Sequence, residues 1–217
     1  MGTASVTRPP VQPGEPAPEF SLPSAQQERM ISLADYRGRA VLLALYRGLY
    51  CPLCRRHVTQ LDDARLKLHE AGIETLGIFA AKAERARLYF RFRPLRVAVA
   101  ADPELSTHRA YGLPNLPLTP EVLQIVGAKA AELAREQGID APPEQALEAA
   151  NRAVEGYELE TADFEDLRRH QTQFVGQFLI DRDGIVRWAN IEGGTRGVAG
   201  LISYPTIEEL VAAARAL

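Results

Sequence analysis

Cysteine is scarce in this chain. Cys51 and Cys54 are the only two in 217 residues, and they are accompanied by one tryptophan, two methionines and four histidines. Two thiols cannot build the framework of a small disulfide-held scaffold. With 46% apolar residues the chain can form a sizeable core without one. A dominant charge is also lacking: the formal net charge is −3, which gives no footprint for general nucleic-acid binding. No run is long or apolar enough to span a bilayer. Residues 1–18 are rich in proline and polar side chains and lack the apolar stretch of a secretory signal. The expected location is therefore cytoplasmic, where a Cys-x-x-Cys pair reads as catalytic or metal-binding rather than as a structural staple.

What is present is a concentrated motif, Tyr50-Cys51-Pro52-Leu53-Cys54-Arg55-Arg56-His57. Before it, residues 40–46 form the continuous apolar run of a strand covered on both faces. After it, residues from Pro52 to about Glu70 read as a helix, with Val58, Leu61, Leu66 and Leu68 towards a core and Gly72 as its stop. A thiol pair at a strand-to-helix junction meets unpaired amides and the positive end of the helix dipole. Both lower a thiol pKa from about 8.5 towards 7 or below. The motif reads as a redox site.

Elsewhere, residues 19–22 and 29–33 fit a small hairpin, and strands are expected at 73–80 and 96–100. Between those strands lies a helix over 82–93, with Leu88 and Phe92 inward. Its arginines, Arg85, Arg87, Arg91 and Arg93, together with Arg96, form a solvated outer face rather than a nucleic-acid surface. Asp102 and Pro103 supply an N-cap and a first-position proline for a short helix through Tyr111. From Leu113 the rhythm changes: prolines crowd together, then helices are expected near 121–137, 143–156 and 162–171. Val122, Ile125, Val126, Ala130 and Leu133, with Lys129 among them, set one apolar face; Leu147, Ala150 and Val154 set another. Strands at 174–181 and 185–191 flank an Asp183-Gly184 turn, and a last helix covers 206–217. The glycine-rich stretch 194–200 lacks the strand-loop-helix context of a nucleotide site and reads as a flexible loop near the active edge. The fold class is α/β, a central mixed sheet flanked by helices. Residues 1–15 read as a flexible lead-in and 16–217 as a single domain with a helical insertion at about 113–172.

This order, with Cys-x-x-Cys after the first central strand, resembles a thioredoxin-like fold. Gly14-Glu15-Pro16-Ala17-Pro18-Glu19-Phe20-Ser21-Leu22 and Ser32-Leu33-Ala34-Asp35-Tyr36-Arg37-Gly38-Arg39 resemble the opening of the peroxiredoxin superfamily (alkyl hydroperoxide reductase and thiol-specific antioxidant proteins). Ala101-Asp102-Pro103-Glu104, with Ala110-Tyr111-Gly112, is similar to its segment after the third central strand. Phe178-Leu179-Ile180-Asp181-Arg182-Asp183-Gly184 is similar to its closing hairpin. The likeness covers 14–112 and 174–191 and leaves 113–172 aside. It implies a thiol-dependent oxidoreductase acting on a hydroperoxide or a disulfide and recycled by a thioredoxin-like dithiol. It implies no bound organic cofactor. In three places the chain departs from the pattern. Arg47 and Cys51 stand where the family has Pro and Thr before the attacking cysteine, if Cys54 is that cysteine. Val175 replaces an arginine, and Gly176 stands where thioredoxins carry a cis-proline.

Two routes end at the same oxidised pair. A Cys51 thiolate attacks a substrate disulfide and Cys54 resolves it; or a Cys54 thiolate attacks a peroxide, becomes a sulfenic acid, and Cys51 condenses with it to release water. The second is the leading expectation. Arg55, with Arg47 and His57, is a candidate to lower the thiol pKa or polarise a peroxide. Cys51, Cys54 and His57 would make three zinc ligands without a fourth, and Arg55 in place of a histidine excludes c-type haem. A non-enzymatic redox sensor is the rival from another class. In that reading the pair switches how the inserted helices bind a partner. Whatever the function, those helices are expected to cover the site, make a homodimer contact or cap the sheet, with packing near the Cys51 rim.

Overall fold

The computed structural model describes residues 8–194, 197 and 200–217. A short antiparallel hairpin, β1 (Ser21–Pro23) with β2 (Met30–Ser32), precedes strand β3 (Ala40–Tyr46) and helix α1 (Pro52–Glu70). Then come β4 (Ile73–Phe79), α2 (Ala83–Phe92), β5 (Ala98–Ala101) and the short α3 (Ser106–Ala110). The inserted part carries β6 (Asn115–Leu116), α4 (Pro120–Glu136), α5 (Ala146–Ala153), α6 (Thr161–His170) and β7 (Thr172–Gln173). Strands β8 (Gly176–Ile180) and β9 (Val186–Ile191) follow, then helix α7 (Ile207–Arg215).

The main sheet has the order β5-β4-β3-β8-β9. Strand β3 pairs in parallel with β4 and antiparallel with β8, which makes the sheet mixed, as expected. Side chains alternate along a strand, and β3 uses both faces. Leu42, Ala44 and Tyr46 meet Val58, Leu61 and Leu68 of α1, Phe90 of α2 and Leu210 of α7. Val41, Leu43 and Leu45 meet Leu22, Ile31, Tyr111 and Phe178 on the other side. Burial on both faces explains an apolar run without polar alternation, and each fully buried leucine contributes about 1.5–3 kcal/mol. The pair β6–β7 draws the ends of the insertion together, with Asn115 opposite Gln173.

Several expectations are corrected. Leu66 is 59% exposed; the buried stripe of α1 runs through Val58, Leu61 and Leu68, and two residues from Leu68 is about 200° around the helix. The same geometry reverses α2. Leu88 and Phe92 face outward, while Ala83, Ala86, Tyr89 and Phe90 are buried. Arg85 is not a free surface charge either, for it pairs with Asp163 at 3.0 Å and Asp166 at 3.3 Å in the insertion. The short helix begins at Ser106, later than expected, because Asp102 caps it from a distance: the Thr107 N–H and Ser106 hydroxyl donate to its carboxylate at 2.7 and 2.9 Å. Of the expected lead-in, residues 1–7 lie outside the described residues. Residues 8–15 pack on the domain, with Val11 buried and donating to the Tyr111 carbonyl at 3.1 Å. Among the described residues no helix is long and apolar enough to cross a membrane.

Candidate active site

Helix α1 begins at the redox pair. Cys51 is its N-cap, in extended backbone, and Pro52 takes the first helical position, where its missing N–H costs nothing. This sets the two cysteines one turn apart, with Cα atoms 5.3 Å apart and the sulfurs joined as a disulfide. The Cys54 N–H donates to Cys51 Sγ at 3.2 Å. One of the orphan amides of the first turn is thus spent on that sulfur, and the helix dipole adds to it. When the pair is reduced, both favour a thiolate on Cys51. The turn before the motif is tight: the Cys51 N–H donates to the Gly48 carbonyl at 3.1 Å, and a Cβ on Gly48 would lie 2.6 Å from the Tyr50 ring.

Exposure separates the two sulfurs. Cys54 is 0% exposed and Cys51 7%. Cys51 opens onto a cavity of about 90 Å³, walled by Leu53, Leu118, Val122, Val126, Ile202 and Arg47. That volume is about three times the liquid share of one water molecule. The insertion therefore lies at the Cys51 rim, through α4 and the segment before it. On α4, Val122, Ala130 and Leu133 are buried, whereas Ile125 and Val126 are half-buried.

Behind Cys54 lies a polar cluster. The Tyr204 hydroxyl donates to Cys54 Sγ at 3.3 Å. The Tyr204 ring stacks on His57 at 5.0 Å between centroids, and His57 Nδ1 bonds the Tyr46 hydroxyl at 2.7 Å. Burial pushes His57 down to about 4, only partly opposed by the nearby Pro205 carbonyl. His57 is thus neutral at pH 7 and brings no positive charge to the thiols. The charge comes from Arg47, which forms a buried ion pair with Glu192. Burial works against this guanidinium, but the Glu192 carboxylate outweighs it and holds Arg47 protonated, above its usual range. Glu192 also accepts from the Val175 N–H at 2.9 Å and from the Ile202 N–H, so the carboxylate is fixed.

Arg55, although next to Cys54 in sequence, is turned into the insertion. It is fully buried, donates to the Leu49 carbonyl and to Asn151 Oδ1 (2.8 Å), and lies 4.2 Å from the Tyr157 ring centre. Its Nε is 3.6 Å from Glu155. Asn151 in turn donates to the Tyr50 carbonyl at 3.3 Å. Burial lowers the Arg55 pKa, partly offset by Tyr89 and Glu155. Among the described residues no group of three or more His, Cys, Asp or Glu side chains could hold a metal ion. Of the glycine-rich stretch, Thr195, Arg196, Val198 and Ala199 lie outside the described residues. The Gly193 N–H donates to the Gly200 carbonyl at 3.1 Å, which leads the chain to Ile202 and Tyr204. At the cis-proline position, a Cβ on Gly176 would lie 2.7 Å from Leu113 and 2.9 Å from Phe178.

Tyr204 and Glu192 are not legible in the sequence. They carry no spacing motif, and Tyr204 lies 150 residues along the chain from Cys54. The one local signal is Tyr204-Pro205 ahead of a Thr206 N-cap, which fixes where the chain enters α7.

The chain has relatives among known proteins. The model of the AhpC/TSA family matches residues 13–189. Peroxiredoxin Bcp of Escherichia coli (strain K12) is 29% identical over 104 residues, 48% of this chain and 66% of that protein. The thiol-disulfide oxidoreductase ResA of Halalkalibacterium halodurans is 31% identical over 107 residues, 49% of this chain and 60% of that protein. The matched segment thus spans less than two thirds of either relative. Among solved structures, peroxidoxin BcpB from Mycobacterium tuberculosis superposes with a TM-score of 0.58 at 13% identity, covering 95% of this chain and 98% of that one. This likeness shows the thioredoxin-like fold.

Proposed function

The chain belongs to the AhpC/TSA family, and from that premise we propose that it is a thiol peroxidase that cycles Cys51 and Cys54 between dithiol and disulfide. The observation that carries this reading is the asymmetry of the pair. Cys51 caps a helix and faces an apolar cavity, whereas Cys54 is sealed behind it. The order expected from the sequence, with Cys54 attacking, is accordingly reversed in this proposal.

A Cys51 thiolate attacks the terminal oxygen of a hydroperoxide. The O–O bond breaks, the alcohol leaves with a proton, and Cys51 becomes a sulfenic acid. Cys54, one helical turn away, then attacks Cys51 Sγ as a thiolate. The S–O bond breaks, water leaves, and the disulfide seen in the structure forms. A dithiol of the thioredoxin kind restores the pair by exchange, which suits a reducing compartment such as the cytoplasm. Arg47 lines the cavity with a charge that Glu192 keeps in place, so it can polarise the O–O bond and stabilise the departing oxygen. Arg55 is a positioning residue: through Asn151 and the Leu49 carbonyl it holds the insertion and the Cys51 loop together. The apolar wall suits a hydroperoxide with a small organic group. A second reading, protein-disulfide reduction, uses the same exposed Cys51 and is favoured by the likeness to ResA.

Trapping separates these possibilities. The variants Cys54→Ser and Cys51→Ser are treated with one equivalent of hydroperoxide and a sulfenic-acid reagent, then weighed intact. The proposal expects an adduct in Cys54→Ser and none in Cys51→Ser. The reverse pattern assigns attack to Cys54. Neither variant reacting, with disulfide exchange intact in the wild type, leaves the reductase reading.

A further inference from the structure

The pair must also be reduced, and there the polar cluster behind Cys54 acquires a role. We propose that Tyr204 is a catalytic residue of the reductive step, its phenol O–H stabilising Cys54 as the leaving thiolate when an incoming dithiol attacks Cys51. The inference rests on the dithiol–disulfide cycle proposed above and not on the peroxide step.

Burial dictates the direction. An attacking thiolate cannot approach Cys54, which has no exposure, whereas Cys51 opens onto the cavity. The new S–S bond therefore forms at Cys51, the Cys51–Cys54 bond breaks, and its electron pair passes to Cys54 Sγ. A second thiolate of the same dithiol then displaces Cys51, leaving the reductant oxidised and both protein thiols reduced. The unfavourable moment is the first: a full negative charge appears on a sulfur without water around it. The group at that sulfur is the Tyr204 hydroxyl, at 3.3 Å.

That hydroxyl is set for donation. The positive charge of Arg47 acts on it, against burial, and a buried ion pair with Glu192 fixes Arg47. The Glu192–Arg47 ion pair thus stands near the Tyr204–Cys54 contact. Arg47 drains electron density from the phenol oxygen and strengthens the O–H as a donor. Burial raises the Tyr204 pKa, against Arg47, so the proton is held throughout the physiological range. The other titratable groups around it are Tyr46, Tyr50 and His57. The first two are raised by burial and His57 is neutral, so none competes for the charge at neutral pH. Arg56, Lys129 and Glu132 share the outer groove with Tyr204.

The test deletes only the hydroxyl. Tyr204→Phe keeps the ring that stacks on His57, so packing is preserved while the donor is lost. In a Cys51→Ser background the lone Cys54 thiol is titrated by its ultraviolet thiolate absorbance. Without the phenol its pKa is expected to rise by about one to two units, the worth of a hydrogen bond to a charged group. In the two-cysteine protein, reduction of the disulfide by dithiothreitol is expected to slow about three- to tenfold, because a more basic leaving thiolate departs more slowly. An unchanged Cys54 pKa together with an unchanged reduction rate overturns the proposal. Peroxide consumption, measured separately on the reduced wild type, reports on the peroxidase reading alone, so the two fail independently.

Discussion

Acid should weaken this protein in a window set by buried histidines. His57 and His108 are both buried, and burial pushes each down to about 4 from an ordinary value of 6.5. The folded state needs them neutral, His57 beneath Tyr204 and His108 with Nε2 on the Tyr46 carbonyl at 3.0 Å. The unfolded chain binds protons at about 6.5, so below that pH it holds more protons than the fold does. Stability is therefore fully present above pH 6.5 and is lost as the pH falls towards 4. A difference of this size is worth about 3 kcal/mol for each histidine, of which about 2 is lost by pH 5. For the pair this is a large share of an ordinary folding free energy of about 5–15 kcal/mol. His170 is lowered in the same direction by burial and adds to the effect. The carboxylates Asp35 and Asp181, held below their usual value of 3.8, lose their contribution at still lower pH, which leaves the window to the histidines. Urea unfolding followed by circular dichroism at pH 7, 6 and 5, on the oxidised protein, measures the slope. His57→Phe, which keeps a ring against Tyr204, should flatten it by about one histidine. An unfolding free energy constant between pH 6.5 and 5 refutes the reasoning.

Three further outcomes are expected. Arg55→Leu strands Asn151 and the Leu49 carbonyl without their donor and should cost about 3 kcal/mol in urea unfolding, with proteolysis of the insertion rising in step. Glu192→Gln leaves Arg47 buried and unpaired; it should cost about 3–5 kcal/mol, and Arg47→Met should recover part of that loss when added to it. Val126→Phe narrows the cavity beside Cys51, so KM for an organic hydroperoxide should rise about tenfold while hydrogen peroxide is little affected, as steady-state peroxidase assays would report.

The sequence exposes what is local. The apolar run of β3, the Pro52 start of α1 and the Gly72 stop follow from propensity and periodicity, and the bounds 52–70 are those observed. Cys51 and Cys54 are legible for the same reason, since both lie in one turn. Two kinds of feature escape. The first is helix rotation: the pattern of α2 admits more than one inward face, and Phe90 packs on Phe79 of β4 and Tyr89 on Tyr157 of the insertion while Phe92 faces out. The second is long-range polar pairing. In the sequence Arg55 is a candidate thiol partner, yet a helix turns successive side chains by about 100°, and this one donates to Asn151. Arg47 is visible, but Glu192 pairs with it from the end of the closing hairpin and Tyr204 meets Cys54 from the segment beyond, where spacing carries no signal.

The central claim is that Cys51 and Cys54 form a peroxide-consuming pair. The most direct measurement mixes the reduced wild-type protein with one equivalent of hydroperoxide in a stopped-flow instrument and weighs the product intact. The expected reaction is far faster than that of free cysteine and ends in the loss of two hydrogens and one Cys51–Cys54 disulfide. Reaction no faster than free cysteine would contradict it.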